Sequence, residues 1–109
     1  MTESKTGQAT DSFVMNLIYK GKDGSARSFV EEMEKSGIAD GVRAEDGNLR
    51  YEYYFSAADP ESVLLIDQWE DQQALDAHHA SEWMKKIMDL REKYALTMSP
   101  RRFVEVPLP

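Results

Sequence analysis

The side chain best suited to chemistry in this sequence is His78, one of two histidines in the chain. A neutral imidazole accepts a proton near pH 7, so we predict that His78 is a catalytic base or hydrogen-bond partner. The alternative is a buried histidine that bonds a backbone carbonyl and orders a bend near Ser81. His79 is expected to face elsewhere, and adjacent histidines lack the spacing of three or four residues that helical metal ligands need.

Two aromatic residues are candidates for the walls of a substrate pocket. Trp69 offers a large apolar ring and an indole N–H, and Tyr51 offers a hydroxyl that can orient a substrate oxygen. The alternative for Trp69 is a large core residue, which is the more common role of tryptophan, and the alternative for Tyr51 is a cross-strand packing pair. Both are predicted to bind substrate.

Asp67 and Asn16 are polar residues inside β-prone apolar runs. Asp67 precedes Trp69 by two residues and shares its strand face, where a carboxylate must be paired or protonated. Its structural alternative is a salt bridge to Arg50 or Arg101. Asn16 places an amide within an otherwise apolar strand, where it either fixes a substrate or satisfies a strand edge. Both are also predicted to bind substrate.

The composition excludes several classes of protein. The chain has 109 residues, which suffices for one domain, and its net charge of −7 disfavours binding to phosphate backbones. Cysteine is absent, which excludes disulfides and thiolate metal sites. No nucleic-acid partner and no metal are therefore expected.

The chain also lacks the features of a membrane protein. No apolar run approaches the about 20 residues that a membrane helix requires, and the polar start does not resemble a signal peptide. The cytoplasm is the expected location. Residues 1–11 show no apolar periodicity and are predicted to be a disordered N-terminal extension, with residues 12–109 as a single domain.

The first half of the domain is predicted to form a strand, a helix and a loop. The run F-V-M-N-L-I-Y over residues 13–19 is rich in β-formers. Ser25 or Ser28 is predicted to cap a helix that Gly37 ends. Residues 38–47 show no clear period and are predicted to be a loop.

The second half is predicted to form a hairpin, a broken helix and a last strand. Strands over residues 49–55 and 62–69 flank a turn that contains Pro60. A helix then runs from about Asp71 to Ala95 with a break at Ser81, because a straight helix would separate His78 from its apolar stripe. Residues 101–106 are predicted to form the last strand, after Pro100.

The resulting β-α-β-β-α-β order is that of a ferredoxin-like sandwich, an α+β fold with a four-stranded antiparallel sheet. Four successive apolar residues, 63–66, face both sides of the third strand. Both sheet faces must therefore be covered, but the two helices lie on one side only. A bare apolar face predicts a partner.

Three short segments in order resemble the antibiotic biosynthesis monooxygenase family. They are G-N-L-R-Y-E at residues 47–52, D-Q-W-E-D at 67–71, and A-L-D-A-H at 74–78, with Ser81 three residues on. The chain departs from members that carry an asparagine four residues before the tryptophan, since Leu65 stands there.

The resemblance implies a homodimer in which two sheets pack face to face as a dimeric α+β barrel, each protomer keeping an interior pocket. It also implies oxidation of a small phenol or quinol by O2 without flavin, haem or metal, with His78 as the catalytic residue. The alternatives are a non-oxidative isomerase of a small carbonyl or sugar-derived metabolite and a non-catalytic small-molecule-binding or stress-related dimer.

Overall fold

Four strands and four helices make up residues 11–109, the part of the chain that this computed structural model describes. In chain order they are β1 (Phe13–Lys20), α1 (Ser25–Lys35), α2 (Ile38–Arg43), β2 (Asn48–Phe55), β3 (Ser62–Trp69), α3 (Gln72–His79), α4 (Glu82–Lys93) and β4 (Thr97–Phe103). The sheet is antiparallel with the order β2-β3-β1-β4, which confirms the ferredoxin-like α+β prediction. Apart from Asp11, the predicted N-terminal extension lies outside the described residues.

Strict alternation along β3 separates a helix-facing side of the sheet from an open side. Val63, Leu65, Asp67 and Trp69 are buried, while the residues between them are only half-buried. The buried set packs with the apolar stripe of α1, which includes Phe29. A period of two thus directs every second β3 side chain into the core.

Residues 38–47 are not a loop throughout, so that prediction was wrong. Gly37 adopts a φ of 85° and turns the chain into α2, which buries Ile38, Ala39 and Val42. Arg43 fixes α2 to the sheet through a hydrogen bond from its Nε to the carbonyl of Tyr51, 2.8 Å away. A helix of six residues is too short to show a clear period in the sequence.

The predicted helix break at Ser81 is confirmed. The Ser81 Oγ accepts a hydrogen bond from the Met84 N–H, which caps α4, and donates one of 2.7 Å to the His78 carbonyl. Asp71 caps α3 by accepting from the Ala74 N–H. The segment therefore forms two separately capped helices. A single long helix would turn His78 away from the sheet.

Two other predicted boundaries were wrong. Gly24, at a φ of 81°, precedes α1 as its N-cap, so neither Ser25 nor Ser28 holds that position. Strand β4 begins at Thr97 and contains Pro100, which pairs opposite Leu17. Proline is tolerated there because β4 is an edge strand whose outer side needs no N–H donor.

The open face of the sheet carries apolar side chains. Ile18, Tyr54 and Phe103 are exposed on it by 39%, 39% and 48%, and Val14 and Ile66 are half-buried. Within residues 11–109, no helix is both long and apolar enough to cross a membrane.

Replacing Gly47 by alanine tests the turn that enters β2. Gly47 has a φ of 83°, and an added Cβ would lie 2.5 Å from the Cβ of Ala74 on α3. We expect the free energy of unfolding to fall by about 2–4 kcal/mol, from backbone strain and overpacking together.

Gly24→Ala is the matched control, because its φ of 81° is similar but, its two chain neighbours aside, no atom of residues 11–109 lies within 4 Å of the added Cβ. Its free energy of unfolding should fall only by the contribution of backbone strain, about 1–2 kcal/mol. Urea unfolding of both variants measures the difference, and equal losses would contradict the close approach of Gly47 to α3.

Candidate active site

A cavity of about 270 Å³ lies between the helix-facing side of the sheet and helices α3 and α4. Its wall is predominantly apolar and aromatic, and it contains a few ionisable groups, the usual composition of a small-molecule site. The apolar and aromatic lining consists of Met15, Leu17, Tyr19, Tyr51, Leu65, Leu75, Met84, Ile87, Met98 and Pro100, and the ionisable lining consists of Asp67, His78, His79 and Arg91.

His78 forms a close pair with Glu45 at this cavity. The Nδ1 atom of His78 lies 2.6 Å from Oε1 of Glu45, and the His78 side chain is only 4% exposed. An ionised carboxylate can only accept, so Nδ1 carries the proton and Nε2 keeps its lone pair. The pair resembles the base and its orienting acid in hydrolytic triads.

Two opposing effects set the pKa of His78. Burial and, to a smaller extent, the neighbouring His79 lower the pKa, and the hydrogen bond and negative charge of Glu45 raise it, with a net lowering. The imidazole is therefore neutral at pH 7. Its ring stacks on Trp69 at a centroid distance of 4.9 Å and an angle of 29°, which fixes its orientation.

Replacing Glu45 by glutamine isolates the effect of its charge on His78. Glutamine keeps an acceptor for Nδ1–H but removes the negative charge that stabilises the imidazolium. We expect the pKa of His78 to fall further, as measured by NMR titration of the imidazole signals in a His79→Gln background.

Glu31→Gln is the control for this experiment, since Glu31 is exposed on α1, which does not carry His78. It should leave the pKa of His78 unchanged. A pKa that stays the same or rises in Glu45→Gln would contradict the pairing.

Asp67 is a second acid–base group in the cavity. It is 4% exposed, and burial raises its pKa to about 7, with a further contribution from the charge of Glu45. The Asn48 amide, 3.5 Å from Oδ1, opposes the rise. So does the indole N–H of Trp69, although it does not reach hydrogen-bond geometry. Near neutral pH, Asp67 is thus partly protonated and can donate a proton.

Asp67 does not form a salt bridge to Arg50 or Arg101, the structural alternative that the sequence suggested. Arg50 instead pairs with Glu52, its Nε lying 2.8 Å from Oε1. Arg101 pairs with Asn16 in the β1–β4 register, on the other face of the sheet from Asp67. The two arginines and the carboxylate are separated because they alternate across the sheet.

Tyr51 contributes a neutral hydroxyl. Its Oη lies 3.2 Å from that of Tyr53, and burial raises the pKa of both phenols far above the usual value. Both hydroxyls therefore stay protonated and act as hydrogen-bond donors or acceptors. Tyr51 also pairs directly with Asp67 across the β2–β3 register.

Asn16 lies away from this group. Its neighbours Met15 and Leu17 line the cavity, so alternation along β1 places Asn16 on the open face, opposite Ile66 and Arg101. Its Oδ1 is buried and has no hydrogen-bond partner among residues 11–109. The structure brings together the other four candidates, with His78, Asp67 and Tyr51 on the cavity and Trp69 stacked against His78.

Sequence reasoning missed Glu45 and Arg91. Glu45 opens the turn that leads through Gly47 into β2, but no spacing signal links it to a histidine 33 positions away. Arg91 follows Ile87 by four residues, and that helical spacing was the available signal for a cavity-facing guanidinium.

His79 is exposed at the edge of the cavity. Within residues 11–109, no cluster of three or more potential metal ligands is present.

An open ferredoxin-like sheet with a histidine–carboxylate pair in an apolar cavity defines a small α+β domain equipped for acid–base chemistry on an apolar ligand. The chain belongs to the antibiotic biosynthesis monooxygenase family, whose model matches residues 12–90. No curated protein matches the chain.

Several solved structures share the fold. A candidate antibiotic biosynthesis monooxygenase from Nitrosomonas europaea superposes with a TM-score of 0.78 at 17% identity, over 89% of this chain and 92% of that one. A variant of SnoaB, a cofactor-independent oxygenase from Streptomyces nogalater, gives a TM-score of 0.76 at 14% identity, over 90% and 96%. At these identities the likeness shows the fold alone.

Proposed function

We propose that this protein is a cofactor-independent monooxygenase that oxidises a small phenolic or quinol-type molecule with O2. The observation that carries the proposal is the His78–Glu45 pair in a mostly apolar cavity of about 270 Å³. A neutral imidazole with a free Nε2 can deprotonate a phenolic hydroxyl, and Glu45 stabilises the imidazolium that forms. Membership of the monooxygenase family supports this chemistry.

Deprotonation makes the substrate reactive toward oxygen. The phenolate transfers one electron to O2, and the resulting radical and superoxide combine to form a carbon–oxygen bond. The hydroperoxide then loses water. For a hydroquinone, one molecule and one O2 give one hydroxyquinone and one water, so the substrate supplies all the electrons.

The other residues of the cavity assist these steps. Protonated Asp67 donates its proton to the departing peroxide oxygen, and the Tyr51 hydroxyl orients the substrate oxygen. Trp69 holds the His78 ring in place by stacking. The apolar lining excludes water from the radical pair.

Oxygen uptake tests the proposal. Chelator-treated protein is supplied with a panel of quinols that includes 1,4-dihydroxynaphthalene, and uptake is measured above the rate in protein-free buffer. Isotopically labelled O2 should place one labelled atom in the organic product and one in water. Uptake no faster than autoxidation for every quinol would refute the proposal.

Asp67 favours a second candidate, a carbonyl isomerase. A base that removes an α-proton and an acid that protonates the carbonyl oxygen suffice for enolisation, and His78 and Asp67 supply both. Such an enzyme would turn over anaerobically and exchange substrate α-protons in D2O. A ligand that raises the melting temperature without any product would instead indicate a non-catalytic binding module.

We also propose that the open sheet face binds a second copy of the chain. The face combines exposed Ile18, Tyr54 and Phe103 with the buried and unpartnered Oδ1 of Asn16, a group that needs a donor from outside residues 11–109. Sheet-to-sheet packing of two copies would cover this apolar surface through an isologous interface.

A further inference from the structure

Arg91 places an unpaired guanidinium on the cavity. Among residues 11–109, its buried Nε has no hydrogen-bond partner, and one terminal nitrogen lies 3.4 Å from the Met88 sulfur. None of the ion pairs within residues 11–109 includes Arg91. A partly buried cation without a counter-charge is unfavourable, so its retention on the cavity wall requires a reason.

Arg91 and the acid–base pair lie at opposite ends of the cavity. The guanidinium carbon of Arg91 is 5.6 Å from the ring centroid of Tyr19 on β1. Asp67 pairs with Met15, four residues before Tyr19 on the same strand. At about 3.3 Å per residue, Met15 and Tyr19 are about 13 Å apart along β1, so Arg91 and Asp67 lie at different positions along the cavity.

The middle of the cavity is apolar. Leu17 and Leu65 form a cross-strand pair between the two ends, and Ile87 faces them from α4. The ligand that fits is apolar in its middle and polar at both ends.

We propose that the substrate is an aromatic hydroxy acid, with its reacting hydroxyl at His78 and a carboxylate at the far end bound by Arg91. Guanidinium groups bind carboxylates through two parallel hydrogen bonds, and no group among residues 11–109 accepts a hydrogen bond from Nε of Arg91. The net charge of −7 repels anions in general, so the preference must come from this local contact. The inference rests on the proposed function only for the reacting hydroxyl.

Binding of two matched probes tests the inference without any turnover. Dissociation constants of 6-hydroxy-2-naphthoate and 2-naphthol are measured by calorimetry under anaerobic conditions, because the two molecules differ only in the carboxylate. A charge-assisted pair contributes about 1.5–3 kcal/mol, so the naphthoate should bind at least about ten-fold more tightly. Equal affinities in the wild-type protein would overturn the inference.

Variants assign the preference to Arg91. Arg91→Met should abolish the preference, whereas Lys86→Met, the same charge change at an exposed position of α4, should retain it. Arg91→Lys, which keeps the charge but loses Nε, should retain a smaller preference. A full preference in Arg91→Met would overturn the assignment.

The experiment separates this inference from the proposed function. His78→Ala should keep the preference for the carboxylate even where oxygen uptake is lost. A protein that prefers the naphthoate but oxidises no quinol refutes only the monooxygenase proposal, and one that oxidises neutral quinols with no such preference refutes only the role of Arg91.

Discussion

His78→Ala is expected to lower kcat/KM for quinol oxidation by about 100- to 10,000-fold, the range that a positioned general base contributes. His78 is a cavity-lining imidazole held by a carboxylate, and its Nδ1 is bound to Glu45, which leaves the lone pair on Nε2. Asp67 is partly protonated near neutral pH, because burial raises the pKa of its carboxyl to about 7, and the proposed mechanism uses it as the acid. Oxygen-uptake kinetics measure the loss.

The dependence of the loss on substrate acidity and chemical rescue by imidazole distinguish a base from a structural histidine. A phenol with a lower pKa needs less help from a base, so the loss in His78→Ala should shrink along a series of increasingly acidic phenols. Added imidazole should restore part of the rate by entering the space that the ring vacates.

Gln73→Ala on the exposed side of the same helix is the control and should retain wild-type uptake. Circular dichroism and melting temperature must also be compared, since the variant loses the ring that stacks on Trp69. A folded His78→Ala protein with wild-type kcat/KM would refute the catalytic role.

Ile66→Asp is expected to convert a dimer into a monomer. Ile66 lies on the open face of β3, paired with Asn16 on one side and Glu52 on the other. Burying an unpaired carboxylate at an apolar interface is strongly unfavourable, and a homodimer interface contains the substitution twice. Sedimentation should therefore give twice the chain mass of 12.5 kDa for the wild-type protein and the single chain mass for the variant.

Met88→Asp is the matched control, because it introduces the same charge at an exposed apolar residue of α4. It should remain a dimer at every concentration at which the wild-type protein is one. A monomeric wild-type protein, or an Ile66→Asp variant that is as dimeric as the control, would refute the proposal that the open face binds a second copy.

The prediction of the fold succeeded where local chemistry and tertiary packing agreed. The capping serine at Ser81 marks a helix break that is confirmed, and the alternation around Asp67 and Trp69 places both on one strand face, as observed. It was wrong at α2, whose six residues are helical because Ile38, Ala39 and Val42 pack into the core and not because of a periodic pattern. It was also wrong at β4, where pairing with β1 incorporates a proline that the sequence marks as a break.

By itself, the sequence determined the order of the strands and of the helices other than α2, the common face of Asp67 and Trp69 and the inward direction of His78. Those properties follow from periodicity and caps, which act over a few residues. Only the tertiary structure decided that Glu45 holds His78, that Asn16 faces away from the cavity and that Arg91 lies at its far end. Contacts between distant segments depend on strand register and helix packing, and these are set by the whole core rather than by any local pattern.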